Sequence, residues 1–288
     1  MDRAKLNGPE LEFDVKGTGE AVLLIGPGPI ADSFLPLRKE TVLTGRYRLI
    51  TYRQRGQATG TKASLPVSFE AHAADAAALL GHLGVRCAHV AGHSTGAAIA
   101  MQLAFDRPEL VQTLALLEPP LMSVPSAEDF LAKVGPALAA YGAGDREGAM
   151  AQFLSFVSGR DWESCQTVLE RQIAGSVARA VNDADTFFGS YLPALGAWQF
   201  GPEQASTISQ PVLSLMGSET EQLFVDGHEL LQSWFPQLES CTIEGIAHLL
   251  HIQRPEPVAQ GMAEFFARYP ITGADGPVGR ELAAASSP

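Results

Sequence analysis

Short apolar runs recur along the chain, and this recurrence constrains its fold more than any other feature. Residues 21–25 (AVLLI) contain no polar side chain, as expected for a strand of a parallel sheet that is covered on both faces. Residues 10–16 (ELEFDVK) alternate strictly, which predicts a half-buried strand. Further apolar-rich runs lie at 49–52, 88–91, 114–117, 212–216 and 241–243.

Helical patterns separate these runs. Residues 67–83 are rich in Ala and Leu behind a capping Ser68, residues 95–106 follow a predicted strand directly, and residues 256–268 place large apolar side chains on one face. Strands that alternate with helices indicate an α/β fold. We therefore predict a mostly parallel central sheet flanked by helices.

The stretch 121–207 interrupts the alternation, because it contains several helix signals and no convincing strand. We interpret it as a helical cap inserted into an α/β core that is formed by residues 1–120 and 208–271. Residues 272–288 are rich in Gly, Ala and Ser, and we predict that they form a flexible tail.

Charge and cysteine content exclude several classes of function. The 288 residues include 20 Lys and Arg against 32 Asp and Glu, which gives a net charge of −12. An acidic surface repels phosphate backbones and anionic headgroups, so we expect neither nucleic acid nor membrane as partner. Three cysteines without a CxxC motif argue against a disulfide framework or a thiolate metal site. The N-terminal residues MDRAKLNGPE show no apolar signal segment, and we expect a cytoplasmic location.

The sharpest chemical motif is GHSTG at residues 92–96. An apolar strand leads into it and an Ala-rich helix leaves it, which is the context of a nucleophile elbow. Such a turn strains the central residue and brings neighbouring backbones close together, which glycines tolerate. Ser94 is therefore the candidate nucleophile, with its hydroxyl exposed above the carboxyl edge of the sheet.

A serine needs a general base to attack a carbonyl near neutral pH. His248 follows the last predicted strand, at the same sheet edge as Ser94, and is the favoured base, with His251 as a competitor. His93 lies inside the elbow, and we expect a packing role for it. The other histidines, which fall in predicted helix, strand or surface segments, are expected to be structural: His72, His82, His89 and His228.

The base needs a carboxylate to fix its tautomer. Glu118 ends the strand at 114–117 and is followed by two prolines that make its exit rigid, so we favour it. Glu219 and Glu221 lie in the loop after the strand at 212–216 and remain alternatives.

An oxyanion needs two N–H donors. Thr95 follows the nucleophile and supplies one. The loop after residues 21–25 reads GPGP, and because proline has no N–H, Gly28 is the candidate for the other.

These motifs, AVLLIGPGP, TYRQRGQATG, VAGHSTGAA, LALLEPP, PVLSLMGSE and EGIAHLLH, occur in an order that resembles the α/β-hydrolase superfamily over about residues 10–270. In the commonest form of that superfamily the acid is an Asp at the position of Thr220. The zearalenone lactone hydrolases instead carry a Glu after the preceding strand, at about the spacing from Ser94 to Glu118, and this chain is similar to them in that respect. The resemblance implies an esterase or lactonase with a Ser94–His248–Glu118 triad, a cap and no cofactor.

The cap is expected to line the substrate cavity. Among its large side chains, those predicted to bind substrate are Phe153, Phe187, Phe188, Tyr191 and Trp198. We therefore expect a small apolar ester or lactone as substrate, and a homodimer is left open. Two other functions remain: C–C bond hydrolysis or cofactor-free oxygenation on the same fold, and non-catalytic ligand binding.

Overall fold

An eight-stranded sheet organises the chain in the computed structural model, which describes residues 1–57 and 67–272. The strands are β1 (Asp2–Lys5), β2 (Glu10–Lys16), β3 (Glu20–Ile25), β4 (Tyr47–Arg53), β5 (Ala88–His93), β6 (Val111–Leu117), β7 (Val212–Gly217) and β8 (Glu239–Ile243). Their order in the sheet is β1-β2-β4-β3-β5-β6-β7-β8. β2 pairs antiparallel with β1 and β4, and the remaining pairs are parallel.

Helices cover both faces of this sheet. They are α1 (Thr41–Thr44), α2 (Phe69–His82), α3 (Thr95–Asp106), α4 (Ala127–Gly142), α5 (Arg146–Ser158), α6 (Trp162–Gln172), α7 (Ser176–Asn182), α8 (Ala184–Thr186), α9 (Leu192–Ala197), α10 (Pro202–Ala205), α11 (Gln222–Trp234), α12 (Leu250–Gln253) and α13 (Pro255–Arg268). Short 3-10 turns lie at Leu37–Lys39 and Pro108–Leu110, and a π-helical turn lies at Phe187–Tyr191.

The predicted fold class is confirmed. β3, β5 and β6 are the central strands and are buried almost throughout, which explains why their sequences lack a polar face. One apolar core lies between the sheet and helices α2 and α3, and a second lies between the opposite face and helices α1 and α13. Sequence patterns missed β1, because only Ala4 is buried in this short edge strand.

The segment between β6 and β7 contains helices α4 to α10 and no strand. These helices lie within the residues that we interpreted as the cap. Most of the predicted tail, residues 273–288, lies outside the described residues. Within the described residues, no helix is both long and apolar enough to cross a membrane.

The turn between β5 and α3 depends on two glycines. A Cβ atom on Gly92 would lie closer than 3.0 Å to the carbonyl oxygen of Gly96 and to the Cα of Ala97. A Cβ atom on Gly96 would lie equally close to the carbonyl oxygen of Ile25. These are backbone atoms at the centre of the sheet, so the clash cannot be relieved by turning a side chain. The close approach of β3, β5 and α3 therefore requires glycine at both positions.

Gly92→Ala is expected to lower the free energy of unfolding by about 1–3 kcal/mol or more, because the added Cβ overpacks the turn. Gly81→Ala is the matched control, because a Cβ there meets nothing within 4 Å. Alanine is favoured over glycine in a helix by up to about 1 kcal/mol, so the control should be neutral or stabilised. Urea unfolding midpoints measure both effects, and equal midpoints for the two variants would contradict the prediction.

Candidate active site

Ser94 lies at the turn from β5 into α3 with a backbone φ of 54° and ψ of −126°. A non-glycine residue in this region is strained by about 1–3 kcal/mol and is kept there only by its surroundings. Its N–H donates to the carbonyl of Leu117 on the neighbouring strand β6, at 2.9 Å. The turn places Ser94 at the N-terminus of α3, where partial positive charge stabilises a developing anion.

Glu118 follows β6 and is the second strained residue at this edge, with a φ of 49°. Its side chain is buried and accepts hydrogen bonds from the Gly217 N–H at 2.8 Å and the Thr220 hydroxyl at 3.0 Å. Its Oε2 atom also lies 2.5 Å from Nδ1 of His248. A buried carboxyl group with three such partners is held in one orientation.

The structure brings Glu118 to His248 and leaves the other two candidate acids elsewhere. Glu221 precedes α11 and forms an ion pair with Lys133 at 2.9 Å, while Glu219 is exposed. Thr220 occupies the position at which the resemblance places the commoner acid. Its hydroxyl donates to Glu118, so the ends of β6 and β7 meet at a single carboxylate.

His248 is held on three sides. Its ring stacks on Phe224 with centroids 4.0 Å apart and an angle of 12° between the planes. Nδ1 faces Glu118, so Nε2 is the ring nitrogen that is available to act as a base. Its carbonyl oxygen accepts a hydrogen bond from Nε2 of His93 at 2.8 Å. Backbone and ring are thus fixed by different neighbours.

His93 contacts the candidate base His248 through a hydrogen bond and through its ring, whereas the sequence predicted only a packing role for His93. Its ring centroid lies 4.4 Å from that of His248 and 4.3 Å from that of His251. His251 packs behind His93 against Phe34, and it does not line the cavity that contains Ser94. The structure therefore places His248, and not His251, at the candidate site.

The remaining histidines make structural contacts. His72 stacks on Tyr191, His82 packs edge-on against Phe13, and the rings of His89 and His228 contact the hydroxyls of Thr113 and Ser214.

Burial changes the acidity of both partners in the Glu118–His248 pair. It lowers the pKa of His248 below its ordinary value, so the imidazole is neutral near pH 7. It also raises the pKa of the Glu118 carboxyl, and the hydrogen bonds from Gly217 and Thr220 oppose this rise. A neutral His248 whose Nδ1–H donates to Glu118 presents a basic Nε2 lone pair. This is the state that a general base requires.

The loop after β3 carries the second predicted oxyanion donor, and here the structure adds a constraint. The Gly28 N–H donates to the Thr95 hydroxyl at 2.9 Å, so in this structure that donor is already engaged. A Cβ atom at Gly28 would lie 2.8 Å from Cδ2 of Phe187 and 2.9 Å from Cγ of Tyr191. The loop is therefore packed directly beneath two aromatic rings of the helical segment.

Two buried glutamines hold this loop and were missed from the sequence. The Gln54 side chain donates to the carbonyl of Gly26 at 2.7 Å, and that of Gln57 donates to the carbonyls of Pro27 and Gly28 at 3.0 and 2.9 Å. The signal was present in TYRQRGQ, because β4 runs parallel to β3 and the two strands end at the same edge.

A cavity of about 340 Å³ opens between this edge and the helices. Ser94, Thr95 and His248 are its polar lining residues. The apolar lining residues are Pro120, Met122, Ala127, Phe130, Leu131, Val134, Leu138, Phe153, Val157, Phe187, Leu192, Leu195, Gly196 and Phe224.

Of the five aromatic residues predicted to bind substrate, Phe153 and Phe187 line this cavity. The prediction is corrected for Phe188 and Tyr191, which are buried against protein, while Trp198 lines a neighbouring pocket of about 490 Å³. Phe188 stacks on Tyr141, the Tyr191 hydroxyl donates to Gln54, and the Trp198 indole N–H donates to Gln102. An aromatic residue that packs on the core and one that lines a cavity show the same helical spacing.

Known proteins resemble this chain in sequence and in structure. The uncharacterized hydrolase YraK of Bacillus subtilis (strain 168) is 32% identical over 120 residues, which are 41% of this chain and 44% of that relative. The chain thus spans less than half of that relative. A thermophilic esterase from Thermogutta terrifontis superimposes with a TM-score of 0.75 at 22% identity, covering 93% and 99% of the two chains.

An enol-lactonase from Burkholderia xenovorans LB400 superimposes equally well. Its TM-score is 0.75 at 18% identity, covering 92% of this chain and 100% of that chain. At this identity the two solved structures show a shared fold and no more. A family model described as alpha/beta hydrolase fold matches residues 30–255, which is most of the chain. In this chain, the strained turn at Ser94 and the order of the strands in the sheet agree with that match. The protein belongs to the alpha/beta hydrolase family.

Proposed function

We propose that the protein is a cofactor-free serine hydrolase that cleaves carboxylic esters or lactones of apolar substrates. The observation that carries this proposal is the 2.5 Å contact between Glu118 and His248, beside a cavity that also contains Ser94. The acid after β6 would be the arrangement of the zearalenone lactone hydrolases. The esterase and the enol-lactonase that superimpose on this chain have the same fold.

In the acylation step, His248 Nε2 takes the proton of the Ser94 hydroxyl as Ser94 Oγ attacks the substrate carbonyl. The resulting imidazolium is stabilised by Glu118. The tetrahedral oxyanion accepts a hydrogen bond from the N–H of Thr95 at the start of α3. It accepts a second from the N–H of Gly28 once the Thr95 hydroxyl turns away from Gly28. His248 then donates its proton to the leaving alkoxide, and an acyl-enzyme remains.

Deacylation repeats these roles with water as the nucleophile. His248 removes a proton from water as the water oxygen adds to the acyl carbon. His248 then returns this proton to Ser94 Oγ as the tetrahedral intermediate collapses, which releases the acid and restores the free serine. No step requires a cofactor. The cavity wall supports neutral substrates, because none of its lining side chains in the described part of the chain, apart from His248, is titratable.

A fluorophosphonate probe is expected to label Ser94 covalently, because the base activates its hydroxyl toward phosphorus as it would toward a carbonyl. Peptide mapping by mass spectrometry identifies the modified residue. His248→Ala should lose the label while keeping the fold, and Ser94→Ala should lose both label and ester turnover. Labelling at another serine, or equal labelling of the His248→Ala variant, would refute the assignment of Ser94 and His248.

Glu118→Gln is expected to lower kcat on the order of 10³–10⁴-fold, since an amide favours the wrong histidine tautomer. Steady-state kinetics on p-nitrophenyl butyrate measures the loss. Glu219→Gln is the matched control, because Glu219 is an exposed carboxylate in the loop after β7. This variant should leave kcat unchanged. If the control lost activity and Glu118→Gln kept it, the acid would lie after β7 instead.

The pH profile should reflect the burial of His248. Activity requires its neutral form, so kcat/KM falls as the pH drops through its pKa. Because burial lowers that pKa, the acidic limb should have its midpoint below the ordinary histidine value of 6.5. Measurement from pH 4 to 9 tests this, and a midpoint above 6.5 would mean that attraction to Glu118 outweighs desolvation.

A further inference from the structure

Helix α4 contributes a continuous stripe to the cavity wall. The residues that do so are Ala127, Phe130, Leu131, Val134 and Leu138. Their spacing of three, four, seven and eleven residues from the first places them on one face of a helix. This face is therefore the apolar wall of the cavity opposite the polar strand ends.

Two members of this stripe remain open to solvent. Leu131 is 51% exposed and Leu138 is 40% exposed, although both line the cavity. In the described part of the chain, the other exposed large hydrophobic residues are Met1 and Phe105, which lie away from it. Isolated exposed leucines are common, but these two continue an apolar cavity wall out to the surface. We call this apolar opening of the cavity, formed by Leu131 and Leu138, the α4 mouth.

The charges near this mouth do not suit an anionic ligand. Glu128 and Asp129 are exposed in the first turn of α4. Lys133 lies between the two leucines in sequence, but its ammonium group contacts Asp129 at 3.1 Å and Glu221 at 2.9 Å. A carboxylate at the end of a bound chain would meet acidic groups and an already neutralised cation. The mouth therefore favours a neutral hydrocarbon.

A second, more polar pocket lies beside the first. It has a volume of about 490 Å³ and shares Met122 and Leu195 with the cavity, while Ser123, Gln199 and Glu203 add polar groups to its wall. Its composition suits the alcohol part of an ester better than the acyl part. An apolar cavity that contains Ser94 therefore adjoins a more polar pocket.

We propose that the cavity and the α4 mouth bind a neutral alkyl acyl chain that is longer than the cavity and emerges between Leu131 and Leu138. The substrates would then be medium- to long-chain carboxylic esters. This inference rests on the proposed function and narrows its substrate class. At about 340 Å³ the cavity is near the lower end of ligand pockets, so a longer chain must extend into the mouth.

The test is a chain-length series of p-nitrophenyl esters (acetate, butyrate, octanoate and dodecanoate) below their aggregation limits. Each buried methylene should raise kcat/KM about fourfold, so octanoate should exceed butyrate by well over about tenfold. Leu131→Gln/Leu138→Gln keeps good helix formers at exposed positions. It should lower kcat/KM for dodecanoate at least about tenfold more than it lowers kcat/KM for butyrate.

Phe105→Gln is the matched control, since Phe105 is 37% exposed on α3 and does not line the cavity. It should leave the whole series unchanged. Thermal unfolding of all variants verifies that they are folded.

Turnover of acetate and butyrate without any gain for longer chains would overturn this inference and leave the proposed function intact. Absence of both turnover and fluorophosphonate labelling would overturn both. A double variant that loses self-association in sedimentation, with an unchanged chain-length profile, would assign the two leucines to contact with a second copy of the chain.

Discussion

The site depends on one buried contact, that between the Glu118 carboxyl and the His248 imidazole. Removing a carboxylate from water costs several kcal/mol unless hydrogen bonds replace the lost solvation. The Gly217 N–H and the Thr220 hydroxyl provide two of these bonds and the imidazole provides the third. Three strand ends must therefore lie in register before the charge can be buried. The sheet supplies that register, because β6, β7 and β8 are parallel neighbours.

Backbone strain is concentrated where this contact lies beside the candidate nucleophile Ser94. Of the three described non-glycine residues with a left-handed φ, two are Ser94 and Glu118. They end adjacent strands, and the N–H of Ser94 donates to the carbonyl just before Glu118. Close packing at Gly92 and Gly96 holds the first strained turn, and hydrogen bonds from Gly217 and Thr220 hold the side chain of the second. The core offsets the strain, so that the Ser94 side chain reaches the cavity and the Glu118 side chain reaches His248.

Sequence patterns predicted the features that depend on local chemistry. Apolar runs predicted six strands, because a strand covered on both faces has no polar side, and strict alternation at residues 10–16 predicted a seventh. Glu118 was identifiable because a charge at the end of a buried strand is costly without a partner. The contacts of Gln54, Gln57 and His93 were not predictable in the same way. They depend on distances across the sheet edge, which no single segment encodes.

Cavity-lining residues were the hardest to predict for a related reason. Phe187 and Tyr191 lie on one short helical turn, yet the first lines the cavity and the second packs over Gly28. Hydrophobic burial has no direction, so an aromatic side chain gains a similar free energy in either place. Polar groups differ, since a buried one must meet a partner of defined geometry.

This difference between polar and apolar side chains accounts for the separate origins of the two kinds of group at the site. The polar groups come from the rigid strand ends, where hydrogen bonds fix Glu118 and His248, and the apolar wall comes from helices such as α4. An apolar wall keeps water from the Glu118–His248 pair, and electrostatic interactions are stronger where water is excluded. The α4 part of this wall can change its side chains at little cost to the pair, because no hydrogen bond of that pair involves α4. In the proposed mechanism, shape selection and acid–base chemistry therefore belong to separate parts of the fold.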